Sequence, residues 1–83
     1  MTADHHYRQA LVLRDRILRG QHNERPVQAW AAVCRECAKA SDAFRREMDG
    51  RTRGRAAHAW LNNLDAVWWP AKAQVETLAR GAA

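Results

Sequence analysis

Long apolar runs are missing from this sequence: none reaches the roughly 18 residues that a bilayer-spanning helix needs. Residues 1–4 lead straight into a charged amphipathic segment, with no apolar signal-peptide core, so the expected location is cytoplasmic. Two cysteines are too few for a disulfide-stapled scaffold. Glycine and proline are sparse, and no stretch alternates apolar and polar residues long enough to form a strand. The chain carries no phosphate-binding G-x-x-x-x-G-K-[ST] loop and no H-E-x-x-H zinc motif. RNP, KH and zinc-finger patterns are absent as well.

Catalytic constellations are also lacking. His58 and Asp65 share a helix face but stand about 10 Å apart along its axis, too far for a hydrogen bond between their tips in most rotamers. Ser41 falls on an apolar arc without a neighbouring base. The expectation is a protein that is not an enzyme, with no cofactor and no catalytic residue.

What the chain does have is helical periodicity. Its 83 residues make one domain, 1–83. A domain of this size has an expected stability on the order of 4 to 12 kcal/mol. A first helix is predicted over about 4–19, capped by Thr2 or Asp4 and ended by Gly20. Its apolar arc holds Tyr7, Ala10, Leu11, Leu13, Ile17 and Leu18, with His6 and Arg14 inside it. Pro26 suits the first turn of a second helix, about 26–48, with Asn23 or Arg25 as cap. Val27, Trp30, Val33, Cys34, Cys37, Ser41, Phe44 and Met48 share its apolar face, and Asp49-Gly50 closes it.

The third helix, about 53–80 with Thr52 as cap, contains Trp68-Trp69-Pro70. A wheel of about 100° per residue puts Ala57, Trp60, Leu61, Leu64, Val67, Trp68, Ala71, Val75 and Leu78 on one face. Trp69 and Pro70 lie off that face, so the pattern runs through the proline without resetting. The fold class is all-α: a small antiparallel three-helix bundle with a long, proline-kinked third helix. At about 1.5 Å per residue that helix overshoots the first by roughly 18 Å. Either the segment after Pro70 folds back as a fourth short helix, or its apolar stripe is covered by another chain; a homodimer is the favoured expectation.

Four tryptophans in so short a chain is a high count, and tryptophan is enriched in binding hot spots. Trp30, Trp60 and Trp68 sit in apolar arcs and are read as core. Trp69 shares its face with His58, Asn62, Asp65, Lys72 and Glu76, a polar surround in which an indole has no core to enter. These six residues are the candidate partner-binding set.

Cys34 and Cys37 form a C-x-x-C pair, but both fall in an apolar arc, and Cys34 lies two turns inside its helix rather than at an N-terminus where the dipole would acidify it. Buried thiols are favoured over redox chemistry or a metal site, and no metal is assigned. Arg45, Arg46, Arg51, Arg53 and Arg55 cluster around Gly50, where guanidinium groups could hold phosphates, nucleic acid or an acidic surface, or form a solvated basic loop. The net charge of +5 fits such partners, although twelve arginines beside seventeen alanines also reflect GC-rich coding.

The function expected from these residues is a non-enzymatic helical module that binds and modulates another protein. Size and Ala/Arg bias add the expectation of a phage or mobile-element inhibitor of host machinery. The alternative is a small nucleic-acid-binding or nucleoprotein accessory factor that uses the arginine cluster.

Overall fold

The computed structural model describes residues 2–48 and 54–81. Three helices account for nearly all of them: α1 (Ala3–Leu18), α2 (Pro26–Met48) and α3 (Arg55–Gly81), with no strand among the described residues. The expected Asp49-Gly50 closure and Thr52 cap lie outside the described residues.

Thr2 caps α1, its hydroxyl oxygen accepting from the His5 N–H at 3.2 Å. A carboxylate reaches the same end from another helix, where Ala3 N–H donates to Glu47 at 2.7 Å. This satisfies a free amide, places negative charge at the positive helix pole, and ties the start of α1 to the end of α2. The far end closes on Gly20, whose φ of 69° is the left-handed conformation that a side chain disfavours. Gly20 N–H donates to the Ile17 carbonyl at 3.0 Å, and Gln21 N–H to that of Arg16 at 2.8 Å. Pro26 begins α2, and the Arg25 carbonyl accepts from the Ala29 N–H at 2.9 Å, so Arg25 rather than Asn23 holds the boundary position.

α2 is the central element. α1 and α3 both pack along it and approach each other much less. α1 runs antiparallel to α2, and α3 returns antiparallel to α2, so the order is up, down, up. This explains why α2 buries more than the single arc expected of it: Val33, Cys37, Ser41 and Phe44 lie inside, and so do Ala29, Ala40 and Ala43. Alanine supplies most of the buried apolar positions, including Ala3, Ala10, Ala57 and Ala71. Small side chains let helix axes approach closely but bury little area each. The larger volume comes from half-buried rings packed against this core, Tyr7, Trp30, Trp60 and Trp68.

Trp60 joins all three helices at one end. Its ring stacks on Phe44 of α2 with centroids 4.4 Å apart and planes 4° from parallel. It leans against Tyr7 of α1 at 5.9 Å, and its Nε1–H donates to the Asp4 carboxylate at 3.0 Å. Leu64, Val67 and Ala71 continue the buried line of α3.

α3 is unbroken through Pro70 and continues to Gly81, so the segment after the proline is not a fourth helix. Proline lacks the N–H that would bond the Ala66 carbonyl. Both residues are exposed, so the missing bond falls on the water-facing side of the helix. The 27 residues of α3 account for the 44 Å long dimension of the molecule. The overshoot beyond α1 is present, but α2 shelters part of the stripe there: Ala71 is buried, and Trp68, Val75 and Leu78 are half-buried. An open apolar groove remains at this end, bordered by Pro26, Val27, Thr77 and Leu78. One position of α1 departs from its expected arc: Leu18, its last residue, is 70% exposed.

Candidate interaction surface

The buried line of α3 fixes what its outside presents. With Leu64, Val67 and Ala71 inside, the opposite face carries His58, Asn62, Asp65, Trp69, Lys72 and Glu76, and all six are exposed. Their spacing alternates four and three residues, so they form a continuous stripe along one helix side.

Trp69 stands at the middle of the stripe and is 63% exposed. The Lys72 ammonium lies 5.1 Å from the centroid of its ring, within cation–π range. Asp65, Trp68, Trp69 and Lys72 border a shallow depression of about 140 Å³, so the indole is flanked by a negative and a positive group and backed by the half-buried Trp68. Glu76 is paired with Arg80 at 3.8 Å. Opposite charges are interspersed on this face, although the chain as a whole is basic.

The arginine cluster is partly in view. Arg45 and Arg46 lie in the last turn of α2 and Arg55 opens α3; all three are exposed. Arg51 and Arg53 lie outside the described residues. The visible members sit at one end of the bundle, away from Trp69 in the middle of α3.

The cysteines are inside, as their arc implied. Cys37 is fully buried and Cys34 half-buried, and both are free thiols. Burial pushes the Cys37 thiol up to about 12, the nearby Cys34 adding to the rise. Burial also raises Cys34, with Lys72 and Arg35 opposing it. These shifts run opposite to those of a reactive thiolate, so neither cysteine is primed for redox or nucleophilic chemistry. Among the described residues no three His, Cys, Asp or Glu side chains converge as a metal site.

His6 and Arg14, the polar members of the α1 arc, are half-buried. His6 Nδ1 lies 3.6 Å from Glu36 Oε1, an ion-pair rather than hydrogen-bond distance, and Glu36 also faces Lys39 at 3.3 Å. Arg14 buries its Nε without a hydrogen-bond partner while its charge acts on Cys37. The Trp60–Asp4 bond leaves no mark in the local pattern, because its partners are 56 residues apart and each also fits a simpler role as core ring or helix-start acid.

Comparison with protein families, with curated proteins and with solved structures finds no match to this chain.

Proposed function

We propose that this chain is a non-enzymatic protein-interaction module that binds and modulates another protein through the outer face of α3, with Trp69 as anchor. The observation that supports this most is the 63% exposure of Trp69 at the centre of the longest helix. An exposed indole is a large apolar surface that a partner can desolvate, and anchors of this type commonly cost 2 kcal/mol or more of binding when truncated. His58, Asn62, Asp65, Lys72 and Glu76 form the polar surround, able to hydrogen-bond a partner and exclude water at the rim. Mixed charge suits a protein surface better than a phosphate backbone, which would repel Asp65 and Glu76.

A homodimer belongs to the same proposal, since α3 offers the exposed apolar surface through which two copies would meet. Inhibition of host machinery by a phage or mobile-element product remains the biological setting proposed from size and composition, with action in the cytoplasm.

Affinity isolation from native host extract tests the reading, using wild type and Trp69→Ala as parallel baits, each with and without nuclease treatment. A protein retained in stoichiometric amount by wild type and lost with Trp69→Ala supports it. Nucleic acid retained by both baits, released by moderate salt and lost when Arg45, Arg46 and Arg55 are replaced, would instead support the nucleic-acid alternative.

A further inference from the structure

We infer that the outer face of α3 pairs with the same face of a second copy of this chain, antiparallel, about a two-fold axis passing beside Trp69. This rests on the interaction role given to the face and names an occupant for it. At about 100° per residue and with Trp69 at zero, Asp65 and Lys72 fall about 40° and 60° to one side, while Ala66 and Ala73 fall about 60° and 40° to the other. Asn62 and Glu76 lie within about 20° of the centre line. All of these residues are exposed. The stripe therefore has a charged flank and a small-residue flank, with the indole between them.

A two-fold axis perpendicular to two antiparallel helices carries each flank onto the same flank of the other copy and reverses the order along it. Residues equally far before and after Trp69 then face one another. Asp65, four positions before, meets the copy's Lys72, three after, and symmetry makes this pair twice. Asn62 meets the copy's Glu76, where the amide N–H donates to the carboxylate. On the opposite flank Ala66 meets the copy's Ala73, and two small side chains allow the backbones to approach while the indoles pack between them. A parallel two-fold pairing would exchange the flanks and set Asp65 beside the copy's Ala66 and Lys72 beside its Ala73, leaving the charges without partners. The charge pattern is thus complementary to itself in one direction only.

One helix face is a small interface, so the pairing is weak and concentration-dependent. The second copy occupies Trp69 until a heterologous partner displaces it.

Sedimentation equilibrium of the full chain at low salt, across the micromolar range, tests the inference. Wild type should show a reversible monomer–dimer equilibrium. Asp65→Lys and Lys72→Asp each turn two attractive pairs into two repulsive ones and should each raise the dissociation constant about tenfold or more. Mixing the two variants should restore dimerisation as a heterodimer, and the double exchange Asp65→Lys/Lys72→Asp should self-associate like wild type. Circular dichroism establishes that each variant stays helical. A wild-type chain that is monomeric throughout overturns the inference, as does a dimer indifferent to the single reversals or a mixture that fails to associate. In those outcomes, loss of a captured protein on Trp69→Ala would still uphold the interaction role of the face, so the two failures are distinguishable.

Discussion

Replacing Trp60 with alanine should damage this fold more than any other change at a tryptophan. The ring stacks on Phe44, leans on Tyr7 and donates to Asp4, so one side chain joins α1, α2 and α3 where α1 and α3 otherwise make little contact. Truncating a large core aromatic costs about 3 to 5 kcal/mol, and the partial exposure of Trp60 sets the expectation near the lower end, about 3 kcal/mol. That is a large share of a total on the order of 4 to 12 kcal/mol. Trp60→Phe keeps most of the stacking but loses the Nε1–H donor; the exposed Asp4 carboxylate can turn to water, so the hydrogen-bond part of the loss is about 1 kcal/mol. Trp69→Ala is the control. With about a third of a ring of roughly 200 Å² covered, and alanine the better helix former, its cost should be about 1 kcal/mol. Urea unfolding followed by far-UV circular dichroism measures all three. A Trp60→Ala chain no less stable than Trp69→Ala would refute the role assigned to Trp60.

Gly20→Ala should cost about 1 to 2 kcal/mol from its left-handed φ alone, since an added Cβ meets nothing within 4 Å; a larger loss in urea unfolding would show a contact the backbone does not explain. Pro70→Ala should raise stability by about 1 to 3 kcal/mol by supplying the missing N–H at an exposed position, and a melting temperature that stays level or falls would contradict this. Cys37 should resist alkylation in the folded chain at neutral pH and react only on unfolding. Its folded value of about 12 lies above the ordinary 9.0, so the stabilising contribution of the protonated thiol is complete below pH 9 and is lost as pH rises from there towards 12. Within that window the loss approaches 1.4 kcal/mol per pH unit, and Cys37→Ala should show an alkaline decline in stability shallower by one proton.

The helices were legible because each announces itself locally. Thr2, Gly20 and Pro26 mark boundaries through backbone chemistry that needs no tertiary knowledge, and the stripe from Leu64 through Val67 to Ala71 repeats at the helical period on both sides of Pro70. Less legible was the second buried side of α2. Ala29, Ala40 and Ala43 carry almost no hydrophobic signal, and the alanine richness read as coding bias turns out to line much of the core. The expectation that the end of α3 lies bare needed correction for a related reason. Helix lengths alone say how far α3 passes α1, but not that α2 is long enough to shelter Ala71 and half-cover Val75 and Leu78. Trp69 was identifiable as the odd residue on a polar face, because its angular position follows from counting. The carboxylate of Glu47 at the start of α1 and the hydrogen bond between Trp60 and Asp4 depend on how helices pack, which periodicity does not encode.

Site-specific photo-crosslinking in the native host tests most directly whether the outer face of α3 is where a partner sits. A photoreactive phenylalanine analogue is placed at position 69 and, for comparison, at the exposed Gln28 of α2 and the exposed Arg16 of α1. Protein adducts should form from position 69 and not from the other two, with a second copy of the chain or a heterologous protein as the captured species. Equal labelling from all three positions, or adducts to nucleic acid alone, would contradict the account.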